Sequence, residues 1–145
     1  MSKFSRILLV YDGTPEAKSA LNSCAQLASA LSLSVDVVSV VDTVGLNAAS
    51  GGLLSGAAFA QIEHLAREAL LESVTRLQCD GVSVHGHLAV GHIVDELSRY
   101  AEALRSDIVM IGHRSRKRFA SRCGGRPVFA DLADRLRGLT IVTVT

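Results

Sequence analysis

No apolar run in the sequence approaches the roughly 18 to 20 residues that a helix needs to cross a bilayer, so no membrane partner is expected. The apolar stretch inside MSKFSRILLVYDG lasts only about five residues before Asp12 interrupts it. That is too short for a secretory signal, and the expected location is the cytoplasm. Cysteine is scarce: Cys24, Cys79 and Cys123 lie far apart with no CxxC pair, which argues against a disulfide framework and a zinc knuckle and leaves reduced thiols. Charge of either sign is nearly balanced, at a net +1, which argues against broad binding of nucleic acid. No GxxxxGK[ST], GxSxG or HExxH occurs, so P-loop, serine hydrolase and zinc protease chemistry have no support. Neither an internal repeat nor a second linker is visible.

What is present fits one domain over residues 1–145, with 48% hydrophobic and 20% charged residues. Five stretches rich in Val, Ile and Leu alternate with four segments of helical period. That alternation predicts an α/β fold, a parallel sheet with helices on both faces in three αβα layers. The strands expected are 7–11, 35–41, 82–88, 107–111 and 140–144. ILLVY and DIVMI are nearly continuous apolar runs, as suits central strands covered on both sides. The first helix has Thr14 as N-cap, Pro15 at its first position, and a stripe of Ala17, Ala20, Leu21, Cys24, Leu27, Ala28 and Leu31. A second helix is expected from about Phe59, a third carries Ile93, Leu97, Tyr100, Ala101 and Leu104, and a fourth opens at Pro127. The Gly-, Ala- and Ser-rich segment GLNAASGGLLSGAAF reads as a surface loop, or as a lid over a neighbouring crevice.

In a doubly wound sheet the ligand crevice opens beyond the carboxyl ends of the strands where the strand order reverses. If strands one and four are neighbours, Asp12 and Gly112 meet there. Beyond Gly112 runs IGHRSRKRFASRCGGRP, where Arg114, Arg116, Lys117, Arg118, Arg122 and Arg126 fall within thirteen positions and would receive any polyanion.

The Asp-Gly-Thr-Pro-Glu after strand one, the Ser-Asp-Ile-Val-Met-Ile-Gly-His at strand four and a glycine thirteen positions after Gly112 together resemble the universal stress proteins. The resemblance covers essentially the whole chain. It implies a five-stranded parallel sheet of order 3-2-1-4-5 of the adenine-nucleotide-hydrolase-like kind, a homodimer paired through the last strand and, in many members, an ATP site. The nucleotide-binding members carry Gly, two residues, Gly, nine residues, Gly and then Ser or Thr. Here Gly112 and Gly125 match, Ser115 replaces the second glycine, and Arg126 replaces the hydroxyl residue. The family's adenosine-facing aspartate is present as Asp12, and Val41 stands at its adenine-contacting position.

If a left-handed backbone is required at position 115, a serine reaches it at a cost of roughly 1 kcal/mol. Arg126 removes a small donor but adds a fork that grips phosphate bidentately, unless its bulk fills the pocket. Three readings of the basic segment follow. It is a solvated loop, it holds the phosphates of ATP or AMP over Gly112, Ser115 and Gly125 with Arg114 or Arg126 countering charge, or it contacts the acidic surface of a protein partner. Mg²⁺ would enter only with the nucleotide, through Asp12 and Asp42. Those two carboxylates are also the only candidate bases for water, so catalysis is at most slow ATP hydrolysis and no catalytic residue is assigned. The alternative function is a homodimeric scaffold that binds no nucleotide; its last strand, with Ile141, Val142 and Val144, needs a covering partner either way.

Lesser candidates each have a plain structural alternative. His85 and His87 share a face of strand three, but a third metal ligand is not evident, and they read as partly solvated residues of an edge strand. His113 stands at the crevice mouth as a hydrogen-bonded loop histidine. Cys123, among basic residues before a helix, has the setting of a redox-sensitive thiol, whereas Cys24 belongs to packing.

Overall fold

A computed structural model describes residues 4–43, 51, 55–113 and 127–145. Strand β1 (Arg6–Val10) leads into the turn Asp12-Gly13-Thr14 and then helix α1 (Pro15–Leu31). Each residue of that turn has a local task. The Asp12 carboxylate accepts from the Thr14 N–H (3.0 Å) and hydroxyl (2.6 Å), Gly13 takes φ +80°, and Thr14 Oγ1 caps the helix by accepting from Ala17 N–H (3.2 Å). Pro15 follows at the position where its missing N–H costs nothing.

Then come β2 (Ser34–Asp42), α2 (Gly56–Cys79), β3 (Val84–Gly91), α3 (Ile93–Ala103), β4 (Ile108–Gly112), α4 (Val128–Arg135) and β5 (Thr140–Val144). The sheet is parallel throughout and ordered β3-β2-β1-β4-β5, so the order reverses between β1 and β4. As expected, β1 and β4, both nearly continuous apolar runs, lie inside the sheet. Ile7, Leu9 and Tyr11 face α1 and α2 in one cluster with Val35, Val37 and Leu77. Leu8 and Val10 join Val38, Leu97, Ala101 and Leu132 under α3 and α4 in the other. Cys24 lies in the first cluster, where burial pushes its thiol up to about 12 and leaves it inert, as packing requires.

Two elements differ from the sequence expectation by more than one residue. Helix α2 begins three residues before Phe59, at Gly56, because the Ser55 hydroxyl accepts from Ala58 N–H (3.0 Å) and starts the first turn without an apolar residue. Strand β3 begins at Val84 rather than Val82, which is buried ahead of the strand, and it continues to Gly91.

At the opposite end of the sheet, Asp107 Oδ2 collects Ser5 N–H (2.7 Å), Ser5 Oγ–H (3.0 Å) and Arg6 N–H (3.0 Å), tying the start of β1 to the start of β4. The two backbone donors hold this carboxyl below the usual aspartate range. A depressed pKa contributes stability that is present above the unfolded value of about 3.9 and is lost as pH falls through the folded value. Asp107→Ala is therefore expected to cost about 1–2 kcal/mol in urea unfolding at pH 7 and much less once the wild-type carboxylate is protonated. A pH-independent difference would show that the loss is one of packing.

Candidate functional site

The parallel register of β1 on β4 (Ile7↔Ile108, Leu8↔Val109, Leu9↔Met110) brings the carboxyl ends of both strands to one edge of the sheet. There the turn carrying Asp12 and the last residue of β4, Gly112, come together. A Cβ on Gly112 would stand 2.4 Å from the carbonyl carbon of Glu16 and 2.7 Å from Ala17 N, so the end of β4 lies directly against the first turn of α1. Strands β2 and β3 continue past β1, whose register on β2 ends at Val10↔Val38. Ser39 to Asp42 extend about 13 Å further as a wall beside the opening. The buried Ser39 hydroxyl donates to the Tyr11 carbonyl (2.7 Å) and fixes the exit of β1 against that wall.

Asp12 is exposed; its Oδ1 serves the turn, and no partner of Oδ2 occurs among the described residues. Val41 is placed on the wall strand but is only 2% exposed, so a ligand would reach it only by displacing what covers it. Asp42 stands one residue further on, beside Gly91. His113 donates its backbone N–H to Val144 O (2.8 Å), and its ring packs edge-on to Phe129 at 4.9 Å between centroids. The backbone bond joins the end of β4 to β5, and the ring's contact among the described residues is with Phe129. Arg114, Ser115, Cys123, Gly125 and Arg126 lie outside the described residues, as does most of the segment after β2.

Two polar pairs escaped the sequence reading. Tyr11, buried at the end of β1, donates its hydroxyl to Glu72 Oε1 (3.0 Å); burial and that bond push the phenol up to about 12. His87 Nε2 lies 3.0 Å from Oδ1 of the buried Asp36, and its ring packs against Tyr100 at 5.3 Å. His85, on the same face of this edge strand, is exposed. Among the described residues there is no cluster of three or more His, Cys, Asp or Glu suited to a metal ion, and no helix is long and apolar enough to span a membrane.

Comparison with known proteins adds the following. The model of the universal stress protein family matches residues 3–126. No curated protein matches the chain. Among solved structures, the universal stress protein UspA from Lactobacillus plantarum is similar at a TM-score of 0.75 and 15% identity, covering 100% of both chains. The universal stress protein from Archaeoglobus fulgidus in complex with dAMP aligns at 0.68 and 19% identity over 100% of both chains. An AMP-bound universal stress protein family protein from Arabidopsis thaliana aligns at 0.66 and 12% identity, over 97% of this chain and 90% of its own.

Proposed function

The chain belongs to the universal stress protein family, and from that premise we propose that it is a cytosolic stress-response protein that binds an adenine nucleotide, ATP or AMP, between β1 and β4. One observation carries this reading. Asp12 and Gly112 converge where the strand order reverses, and the chain runs from there directly into the segment bearing Arg114, Arg116, Lys117, Arg118, Arg122 and Arg126. The relatives bound to dAMP and AMP make an adenine nucleotide the ligand to test first. In this arrangement Asp12 and Val41 serve the adenosine end, Oδ2 of Asp12 being the acceptor left over by the turn. Gly112, Ser115 and Gly125 line the phosphates, and Arg114 or Arg126 neutralises them, with Mg²⁺ entering only alongside the nucleotide. The mode is binding rather than turnover. The open edge of β5, hydrogen-bonded to β4 on one side, is the surface for a second copy.

A specific observation favours a second reading, a homodimeric scaffold without nucleotide. The Asp12 turn and the glycine at 112 are both already required by the fold, and Val41 is covered.

Calorimetric titration and thermal unfolding with ATP and AMP, with and without Mg²⁺, separate the two. A binder at a hundredfold excess over its Kd gains about 2.7 kcal/mol, and Asp12→Asn, which keeps an acceptor for the turn but loses the charge, weakens binding. No heat and no stabilisation at millimolar nucleotide would sink the nucleotide reading. Binding seen only in Arg126→Ser would do the same for the native chain and identify its guanidinium as the obstruction.

A further inference from the structure

Strand β2 reads SVDVVSVVD, and Ser39 stands among its valines at 1% exposure, on the sheet face that Val35 and Val37 present to α1 and α2. A valine would fill that place better. A buried hydroxyl is unfavourable unless it is bonded, and this one donates to the Tyr11 carbonyl at 2.7 Å. The bond falls where β1 leaves the sheet. Tyr11 N–H still reaches Val38 O (3.0 Å), and the next rung of a parallel ladder would join Val40 N–H to Tyr11 O; the register ends instead at Val10↔Val38. The Ser39 side chain has taken the acceptor of that rung.

We propose that Ser39 is a positioning residue of the crevice, setting where the Asp12 carboxylate stands for the ligand, a role that rests on the adenine-nucleotide reading. The Tyr11 carbonyl and the Asp12 N–H belong to one planar peptide unit, so holding the oxygen fixes the plane from which Asp12 departs. From the other side Thr14 holds Oδ1 through its N–H and hydroxyl, and Gly13 lies against α2, where a Cβ on it would meet Ala69 Cβ at 3.7 Å. The carboxylate is thus set in place before any ligand arrives. Without the Ser39 hydroxyl the Tyr11 carbonyl is left to Val40 N–H, the ladder gains a rung, and the Asp12 turn is drawn toward β2.

Ser39→Val and Ser39→Thr in the full chain test this, by calorimetric titration with AMP and ATP and by NMR of the ligand-free amides. The two side chains share a β-branched shape and differ in the hydroxyl. Ser39→Val is expected to weaken nucleotide binding about tenfold and to shift the amides of Asp12, Gly13 and Thr14 in the free protein. Ser39→Thr should stay within about twofold of wild type, with those amides in place. Ser73→Ala removes another buried hydroxyl, bonded to Leu70 O (2.8 Å) within α2, and should leave affinity unchanged, which separates positioning from general stability. Equal affinity of Ser39→Val and wild type, equal loss in the valine and threonine variants, or the same loss in Ser73→Ala would each overturn the proposal. A wild type that binds neither nucleotide sinks the adenine reading by itself. In that case unmoved Asp12, Gly13 and Thr14 amides in Ser39→Val overturn the placement of the Asp12 turn by Ser39 as well, and displaced ones uphold it.

Discussion

Gly112→Ala is expected to destabilise the protein by about 3 kcal/mol in denaturant unfolding, although replacing a strand glycine by alanine ordinarily stabilises through lost unfolded-state entropy. The reason is distance. The new methyl group would stand 2.4 Å from the carbonyl carbon of Glu16, 2.5 Å from its oxygen and 2.7 Å from Ala17 N, all main-chain atoms of the first turn of α1. A flexible side chain could swing aside, but a helical turn anchored by Thr14 and Pro15 must move as a unit, dragging the Asp12 turn with it. Gly56→Ala is the control. A Cβ there meets nothing within 4 Å, at the first position of a helix, so the substitution should be neutral or stabilise by up to about 1 kcal/mol. Equal effects of the two substitutions would contradict the close approach of β4 to α1. The same geometry changes how the glycine pattern is interpreted: a glycine at 112 is needed to seat α1 whether or not phosphate ever arrives, so its presence alone does not identify a nucleotide site.

That distinction also marks how far the sequence could be followed. Helix α1 was legible because Thr14, Pro15 and a stripe from Ala17 to Leu31 all point to the same element, and β1 and β4 because apolar residues on both faces leave only interior positions. The start of α2 was missed because Gly56, Ala57 and Ala58 give no apolar period, and the helix is begun by a hydroxyl. The meeting of Asp12 and Gly112 followed from strand order, but the reason for the glycine did not, since it depends on how closely a helix rides over a strand end. Asp36 and Tyr11 show the same limit. Each sits in an apolar run, and each has a partner, at 87 and at 72, that only strand register or helix placement reveals. The residues expected at the phosphate end, Arg114, Ser115, Gly125 and Arg126, lie outside the described part of the chain.

His87→Ala should cost about 3 kcal/mol, far more than trimming a quarter-exposed side chain on an edge strand usually does. The parallel register pairs Asp36 with His85 and Val38 with His87, placing all four side chains on the face covered by α3. Among the described residues the side chain of Asp36 has one hydrogen-bond partner, His87 Nε2 at 3.0 Å, and the residue is buried. Removing the imidazole leaves a buried carboxylate unpaired, and that desolvation dominates; the lost contact of the ring with Tyr100 adds a smaller amount. The double substitution Asp36→Val with His87→Leu removes both polar groups at once beside Val38 and Leu97, and it should recover most of the loss, because an apolar pair needs no partner on this face. Denaturant midpoints of the single and double variants, with unchanged slopes, check this directly. If His87→Ala lies within about 0.5 kcal/mol of wild type, water reaches Asp36 from the open edge of β3 and the pair is not what holds that edge strand in register.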